Sequence, residues 1–445
     1  MRYYSTNRQS PPASLEEALL CGLAPDGGLY YPEAMPRFTD EELRQLEQAA
    51  RGVSLSEPAT AQSFLQEVAF RVLERWFGED IPEAMLRTIA VEAQSFPMPI
   101  RKVGSFRVLE LFHGPTMAFK DVAACNLSRL TNYFLQKRGE QAILLVATSG
   151  DTGGAIAHGF AGQENIKVVV LFPKGKVSHL QEEQLTRVAP NVFPIEVDGV
   201  FDDCQVLVKQ AFVRPELRHL HLTSANSINI ARLIPQIIPY VYAYFVLGGE
   251  ELEVVVPSGN FGNLTAALFA GEMGVPLNHF IAATNRNDAV VRYFQSGRYT
   301  PNATVQTLST AMDVGNPSNF ARILELFGHD YERFRQRLRA YPISDEETAA
   351  TIRRVYEVHG YLLDPHSAVA WLVAEREGTP GLTPLVVATA SPVKFAEEMH
   401  IATGLTVDDA EARAQLRHLP QRKFPMPNSF EVLADFLQQL PMMEG

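Results

Sequence analysis

The chain has 445 residues, 46% of them hydrophobic and 20% charged, and these values exclude a mainly disordered or fibrous protein. The 51 acidic and 39 basic residues give a net charge of −12, which argues against nucleic acid and membrane as partners, because both attract positive surfaces. The three cysteines (Cys21, Cys125 and Cys204) support neither a disulfide framework nor a zinc site, so we expect no metal and a reducing, cytoplasmic setting.

Residues 1–95 differ in pattern from the rest of the chain. Residues 1–12 are polar and predict no signal peptide. Apolar residues then recur at helical spacing, with charged faces between them. The predicted helices lie at 14–20, 40–51, 62–76 and 82–93. We therefore predict a mostly helical N-terminal domain at 1–95, followed by a proline-containing linker at 96–100.

From about residue 105, short apolar runs alternate with helical segments. The predicted strands lie at 142–146, 167–172, 193–197, 252–256, 279–284 and 385–389. Buried strands that alternate with helices predict parallel sheets covered on both faces, with ligands at the carboxyl ends of the strands. The apolar segment 233–247 predicts a buried helix too short to span a bilayer, and the charged segment 330–354 predicts a pair of solvated helices.

The first candidate for chemistry is Lys120, in the motif H-G-P-T-M-A-F-K-D at 113–121. An apolar pocket lowers the pKa of a lysine, and the neutral amine can then attack an aldehyde. A lysine taken alone is more often a surface residue, so this motif by itself is compatible with either a reactive lysine or a surface lysine.

Two glycine-rich turns follow predicted strands and precede helices. In T-S-G-D-T-G-G at 148–154, Ser149, Asp151 and Thr152 can bind a carboxylate or phosphate at the helix N-terminus, or simply cap the helix. The turn S-G-N-F-G-N at 258–263 is typical of a cradle for one phosphate group, with an ordinary loop as the alternative.

Two further segments complete the candidate site. Within 224–232, Asn226, Ser227 and Arg232 can converge on an anionic substrate group, or cap and flank a helix. Thr389 follows the last predicted strand, where its hydroxyl can bond a ring nitrogen or be merely structural. A lysine, a phosphate cradle and a partner for a ring nitrogen are together what pyridoxal phosphate requires.

In chain order, these motifs resemble those of the threonine synthase family. Further segments that are similar to the family are Y-Y-S-T at 3–6, G-L-A-P-D-G-G-L-Y at 22–30, M-D-V-G-N-P-S-N at 312–319 and A-T-A-S-P-V-K-F at 388–395. The resemblance implies a fold-type II α/β enzyme with two parallel-sheet domains, the active site between them, and the helical N-terminal domain. The expected catalytic region is 96–445, with a smaller subdomain at about 105–225 and a larger one at about 226–445.

The resemblance also implies a reaction: loss of phosphate from O-phospho-L-homoserine and addition of water, giving L-threonine. Lys120 would carry the cofactor, pyridoxal 5'-phosphate, and act as the base. The other cofactor-binding residues would be Gly259, Asn260, Phe261, Gly262, Asn263 and Thr389. The substrate's amino-acid end would meet Ser149, Asp151 and Thr152, and its phosphate would meet Asn226, Ser227 and Arg232.

Two other functions remain open at this stage. A phospho-lyase on the same scaffold would release phosphate without adding water at Cβ. A non-catalytic relative would bind a phosphorylated metabolite, although such a binder has no need for Lys120. The sequence predicts a monomer or homodimer.

Overall fold

The computed structural model describes residues 1–54 and 57–440. The described residues do not include positions 55, 56 and 441–445. Positions 441–445 are the end of the predicted catalytic region 96–445. Four helices confirm the mostly helical N-terminal domain: α1 (Leu15–Cys21), α2 (Asp40–Ala50), α3 (Pro58–Phe77) and α4 (Glu83–Ala93). They accompany a small antiparallel sheet that the sequence did not predict. Its strands are β1 (Arg2–Ser5), β2 (Ala13–Ser14) and β3 (Tyr30–Pro32), in the order β2-β1-β3.

The first two helices begin at residues that are well suited to start a helix. The Ser14 hydroxyl accepts the N–H of Glu17, and the Glu17 carboxylate accepts the N–H of Ser14. Thr39 and Glu42 form the same reciprocal pair at α2. Each pair satisfies two backbone donors that the helix itself cannot, so the sequence fixes where these helices begin.

The rest of the molecule is built around two larger sheets. The remaining strands are β4 (Ile100–Val103), β5 (Phe106–Glu110), β6 (Ala142–Ala147), β7 (Ile166–Pro173), β8 (Val192–Asp198), β9 (Leu222–Thr223), β10 (Leu252–Pro257), β11 (His279–Thr284), β12 (Leu338–Pro342), β13 (Thr383–Ala388) and β14 (Phe424–Pro427). One sheet has six strands in the order β12-β11-β10-β13-β5-β4, and the other has five in the order β14-β8-β7-β6-β9. Within these two sheets every strand pair of the described chain is parallel except β4 with β5, which confirms the predicted parallel architecture.

Helices cover both faces of these sheets. They are α5 (Lys120–Arg138), α6 (Asp151–Gly159), α7 (His179–Thr186), α8 (Phe201–Val213), α9 (Ile230–Leu233), α10 (Ile238–Val246), α11 (Gly262–Glu272), α12 (Ala289–Ser296), α13 (Phe320–Leu326), α14 (Tyr331–Arg337), α15 (Asp345–His359), α16 (Pro365–Glu377), α17 (Ala396–Thr403), α18 (Ala410–Leu416) and α19 (Phe430–Gln439). In β10, Val254 and Val256 pack into one apolar core while Val255 packs into another. Both faces of the strand are therefore buried, which explains the three successive valines at 254–256.

Three details differ from the sequence-based predictions. The segment 330–354 is not a helix pair: β12 lies between α14 and α15 and forms the edge of the six-stranded sheet. The segment 233–247 forms a 3₁₀ turn (Ile234–Ile237) followed by α10, because Pro235 and Pro239 interrupt a continuous α-helical ladder. Sheet membership also crosses the expected subdomain ranges, since β5 joins the six-stranded sheet and β14 joins the five-stranded one.

The carboxyl end of β13 anchors the segment that leads into α5. The N–H of Phe119 donates to the Thr389 carbonyl at 2.8 Å, and the N–H of Ser391 donates to the Met117 carbonyl at 3.0 Å. Lys120 is therefore held beside the end of β13, which is the neighbour of β10 in the sheet. Among the described residues, no helix combines the length and the apolar character needed to cross a membrane.

Candidate active site

Lys120 is the first residue of α5, and its side chain is only 15% exposed. Its Nζ lies 3.5 Å from Oδ2 of Asp151. Burial lowers the pKa of the Lys120 amine, Asp151 opposes this shift, and the positive charges of Lys394 and Arg232 add to it. The amine is thereby closer to the neutral form that a nucleophile or base requires.

Asp121, the residue after Lys120, holds the turn that precedes Lys120 in place. Asp121 accepts the Thr116 N–H at 2.8 Å and the Thr116 hydroxyl at 2.5 Å. Asp121 is almost fully buried, and burial raises the pKa of its carboxyl to about 6 although both Thr116 bonds oppose the shift. Asp121 therefore fixes the backbone from which Lys120 projects.

Asp151 lies at the start of α6 and has protein donors on both carboxylate oxygens. Its Oδ1 accepts from Lys394 and Gln181, each at 3.0 Å, and its Oδ2 faces Lys120. Burial alone would raise the pKa of this carboxyl, but the ammonium groups of Lys394 and Lys120 hold it far below its ordinary value. Asp151 is therefore a permanent negative charge beside the candidate nucleophile.

The rest of the 148–154 turn is partly satisfied by its own chain. The Thr148 hydroxyl accepts the N–H groups of Gly150 and Gly153 at 3.0 and 2.8 Å, so Thr148 caps the turn and neither Asp151 nor Thr152 does so. Gly150 has φ +140°, and a Cβ there would lie 2.6 Å from the Gln181 side chain. Within the described residues, the exposed Ser149 and half-buried Thr152 hydroxyls make no hydrogen bond and remain available to a ligand.

The 258–263 turn leaves several of its own donors without partners within the described chain. Phe261 has φ +61° and precedes α11, and no side chain caps this helix. The N–H groups of Gly259, Asn260 and Phe261 find no acceptor within the described chain. The Tyr240 hydroxyl donates to Oδ1 of Asn263 at 2.7 Å, while the buried Nδ2 of Asn263 has no acceptor among the described residues. Unsatisfied buried donors at a helix N-terminus are what a phosphate group satisfies.

The polar side chains around this turn hold its shape. Asn260 donates from Nδ2 to the Ser227 hydroxyl at 2.6 Å and accepts the Ser318 N–H at 2.6 Å. A Cβ on Gly259 would lie 2.6 Å from Cα of Met312, so only glycine permits this close approach. The Asn260 side chain is therefore committed to the protein, and its backbone N–H is the group left for a phosphate.

The structure brings segment 224–232 against this turn through Ser227. Arg232 is buried, and burial lowers its pKa to about 10. Its NH1 donates to the Ala225 carbonyl at 2.6 Å, and no other bond of this guanidinium occurs within the described chain. Asn226 is half-buried and its side chain is likewise without a partner among the described residues. An arginine with donors to spare is suited to an anionic group.

Thr389 completes the predicted set at the carboxyl end of β13. Its carbonyl accepts the Phe119 N–H, and its buried hydroxyl has no partner within the described part of the chain. Since β10 and β13 are adjacent and parallel, the 258–263 turn and Thr389 lie at the same edge of the sheet. Sequence reasoning missed Lys394 and Gln181, although Lys394 lies inside the motif at 388–395.

This combination of fold and site defines a class of protein. A lysine of lowered pKa, a helix N-terminus with free donors and an unpaired hydroxyl lie at the carboxyl ends of parallel strands, where pyridoxal phosphate fits. The family model for pyridoxal-phosphate dependent enzymes matches residues 87–391. The protein is a pyridoxal-phosphate-dependent enzyme of fold type II, with this cofactor.

More specific similarities extend over the whole chain. The family model for the threonine synthase N terminus matches residues 2–94. Threonine synthases of Serratia marcescens and Escherichia coli K12 are 40% and 39% identical, with 99% and 97% of this chain and 100% and 98% of the relatives covered. The crystal structure of PLP-bound threonine synthase from Brucella melitensis has a TM-score of 0.90 at 37% identity, covering 98% of this chain and 99% of that one. The chain belongs to the threonine synthase family.

Proposed function

We propose that this chain converts O-phospho-L-homoserine and water into L-threonine and phosphate, the last step of threonine biosynthesis. The observation that carries the proposal is the Lys120 amine of lowered pKa, placed near two sets of anion donors. One set is the 258–263 turn, and the other is Asn226 with Arg232. The reaction requires both, because the cofactor and the substrate each bring a phosphate group.

Lys120 would hold the cofactor and move protons. When bound, pyridoxal phosphate supplies the electron sink that lets the substrate's α-proton leave. The Lys120 amine, once free, would take that proton, because its lowered pKa brings it closer to the neutral form that acts as a base. The same amine, mobile near Cα and Cβ, can serve the proton transfers that accompany the loss of phosphate and the addition of water at Cβ.

The 258–263 turn would bind the cofactor phosphate. Its support is the set of free N–H groups at Gly259, Asn260 and Phe261, joined by those of the first turn of α11. Gly262 and Asn263 belong to that first turn, and the Asn263 side chain adds its unpaired Nδ2. We assign the Thr389 hydroxyl to the pyridine nitrogen.

The substrate would bind between the other two turns. Ser149 and Thr152 would meet its carboxylate, and Asp151 would meet its amino group beside Lys120, since Oδ2 lies 3.5 Å from Lys120 Nζ. Asn226, Ser227 and Arg232 would bind its phosphate. The guanidinium of Arg232 is the fixed positive charge that a departing phosphate needs.

The N-terminal domain, which we place at 1–95 beside a catalytic region at 96–445, would support the site from behind. Arg322 is buried and donates to the carbonyls of Tyr30 at 3.0 Å and Ile228 at 2.6 Å, and to Oδ1 of Asn319 at 2.7 Å. Asn319 in turn donates to the Asn260 carbonyl at 3.1 Å. This chain of bonds links the N-terminal sheet to the proposed phosphate turn, so we assign the domain a packing role.

Location and assembly are secondary parts of the proposal. The cysteines Cys21, Cys125 and Cys204 are free thiols, which fits a reducing compartment, and on that ground we place the enzyme in the cytoplasm. The predicted monomer or homodimer stays a prediction.

A product assay tests the proposed reaction. The purified holoenzyme is given O-phospho-L-homoserine, and threonine, 2-oxobutanoate and phosphate are measured together. We expect threonine and phosphate in equal amounts. Phosphate with 2-oxobutanoate would mean a phospho-lyase, and no phosphate with a bound yellow cofactor would mean a different substrate.

A further inference from the structure

Lys394 is a fully buried lysine that has no role in the proposed reaction. It lies in the 3₁₀ turn Pro392–Phe395, and its side chain has 0% exposure. Its ammonium group has three donors, and each has an acceptor. These are Oδ1 of Asp151 at 3.0 Å, the Thr116 carbonyl at 2.6 Å and Oε1 of Gln184 at 2.9 Å. Lys394 therefore joins the turn before Lys120 to the start of α6.

The geometry divides the two oxygens of Asp151 between two lysines. Lys394 and Gln181 occupy Oδ1, which leaves Oδ2 turned to Nζ of Lys120 at 3.5 Å. Gln184 is itself fixed, because its Nε2 donates to the Thr116 carbonyl at 3.2 Å. The carboxylate thus has one orientation, with a single oxygen presented to Lys120.

We propose that Lys394 is a positioning residue of the active site. Its ammonium balances the charge of Asp151 and fixes the orientation of that carboxylate. Oδ2 of Asp151 can then contact Lys120 without preventing the Lys120 amine from losing its proton. This inference rests on the proposed role of Lys120 as the cofactor lysine and base. Without Lys394, an uncompensated buried carboxylate would face the Lys120 amine and hold its proton.

Other charged groups near Asp151 do not replace Lys394. Glu398 is a further carboxyl near Asp151, and Asp121 is a further carboxyl near Lys394; burial raises the pKa of both. Arg232 is the other cation that lowers the pKa of Lys120, but it makes no ion pair with Asp151 within the described chain. Lys394 is therefore the cation that balances Asp151 when Lys120 is neutral.

The test measures the protonation of Lys120 without turnover. Full-chain apoenzyme is mixed with pyridoxal phosphate at different pH values, and the rate at which the visible band of the bound cofactor appears is recorded. Because only a neutral amine adds to the aldehyde, the pH midpoint of this rate reports Lys120. In Lys394→Met, we expect the midpoint, and the acid limb of the kcat profile, to move up by about one pH unit or more.

Three further variants test the direction in which the pH midpoint moves. Lys394→Arg keeps the charge and should restore the wild-type midpoint. Asp151→Asn leaves Lys394 unopposed and should move the midpoint down, which also tests the proposal if Lys394→Met does not fold. The double variant Asp151→Asn/Lys394→Met removes both charges and should return the midpoint to the wild-type value or below it.

A matched control is Lys167→Met. Lys167 is also buried, in β7, and it has no ion pair within the described chain, so its loss should leave the midpoint and kcat unchanged. A folded Lys394→Met variant with a wild-type midpoint would overturn the inference, and so would a double variant that stays as alkaline as Lys394→Met. If instead Lys120→Ala still gives the visible band, the proposed function fails and not merely this inference.

Discussion

The two glycine-rich turns at 148–154 and 258–263 are alike in sequence but differ in what satisfies their donors. Each follows a buried parallel strand and begins a helix, α6 or α11. At α6, the Thr148 hydroxyl accepts two N–H groups of the turn. The corresponding hydroxyl at α11, that of Ser258, instead donates back to the Val256 carbonyl at 2.9 Å. The first turn therefore satisfies two of its N–H groups with its own hydroxyl, whereas the N–H groups of Gly259, Asn260 and Phe261 in the second turn have no acceptor within the described chain.

The two turns also differ in charge. Asp151 places a carboxylate at α6 that is paired with Lys394 and Lys120, so this turn already holds an anion of the protein. At α11, Asn263 offers a buried amide N–H without an acceptor. We therefore expect the dianionic cofactor phosphate at the second turn, and the carboxylate and amine of an amino acid at the first.

Lys120 is the proposed cofactor lysine and base, and its loss should have the largest effect. In Lys120→Ala, we expect no visible band of bound cofactor and a fall in turnover on the order of 10³-fold or more, because the amine proposed to hold the cofactor and to act as the base is removed. The absorbance spectrum and the product assay measure the two effects. Lys167→Met should keep both, and full activity in Lys120→Ala would refute its assignment.

Removing Arg232 should weaken the proposed binding site for the substrate phosphate and leave the proposed site for the cofactor phosphate intact. In Arg232→Ala we expect the KM for O-phospho-L-homoserine to rise about 100-fold, since a buried charge-assisted contact is worth about 2 to 3 kcal/mol. Steady-state kinetics and a titration with pyridoxal phosphate separate the two sites. A variant that loses cofactor affinity but keeps its KM would place Arg232 on the other phosphate.

A matched pair of variants tests the difference between the turns directly. Asn263→Ala removes the unpaired donor at α11 and should weaken pyridoxal phosphate binding about tenfold, with little change in KM. Thr152→Ala at α6 should do the reverse, with a KM increase of up to about tenfold and unchanged cofactor affinity. Equilibrium titration of the visible band and steady-state kinetics give the two constants. If both variants change the same constant, the two turns do not have separate ligands.

Much of the fold was predictable because its strands are buried on both faces. Such strands are continuous apolar runs, and the predicted 279–284 coincides with β11. The strand β12 was missed since it lies at a sheet edge, where Arg339 and Tyr341 are partly exposed and break the apolar run. The N-terminal strands were missed because they have only two to four residues each.

The site was predictable only where its residues are neighbours in sequence. Lys120 and the 258–263 turn are contained in local motifs with a chemical reason for each residue type. The contact of Lys394 with Thr116 spans 278 positions, and that with Gln184 spans 210. No local pattern indicates that a lysine from so distant a segment donates to these acceptors, so the pairing of Asp151 with Lys394 emerges only from the folded chain.

The smallest effect concerns His158 in α6, whose ring donates from Nε2 to the Gln184 carbonyl at 2.9 Å. Burial lowers the pKa of His158 to about 4, below the ordinary histidine value of 6.5. Between these values the unfolded chain binds a proton that the folded protein does not. The stability contributed by neutral His158 is therefore complete above pH 6.5 and is lost as the pH falls towards 4.

His158→Gln keeps a donor at that position but cannot titrate, so it should remove this part of the acid sensitivity. We expect the free energy of unfolding of the wild type to fall by about 1 to 2 kcal/mol more than that of the variant between pH 6.5 and 4, with allowance for the partial exposure of the ring. Urea unfolding at both pH values measures the difference, with cofactor saturation held equal. Equal pH slopes in the wild type and the variant would show that burial does not keep His158 neutral. A flatter slope in the variant, with unchanged cofactor affinity, would assign this acid sensitivity to His158 in α6.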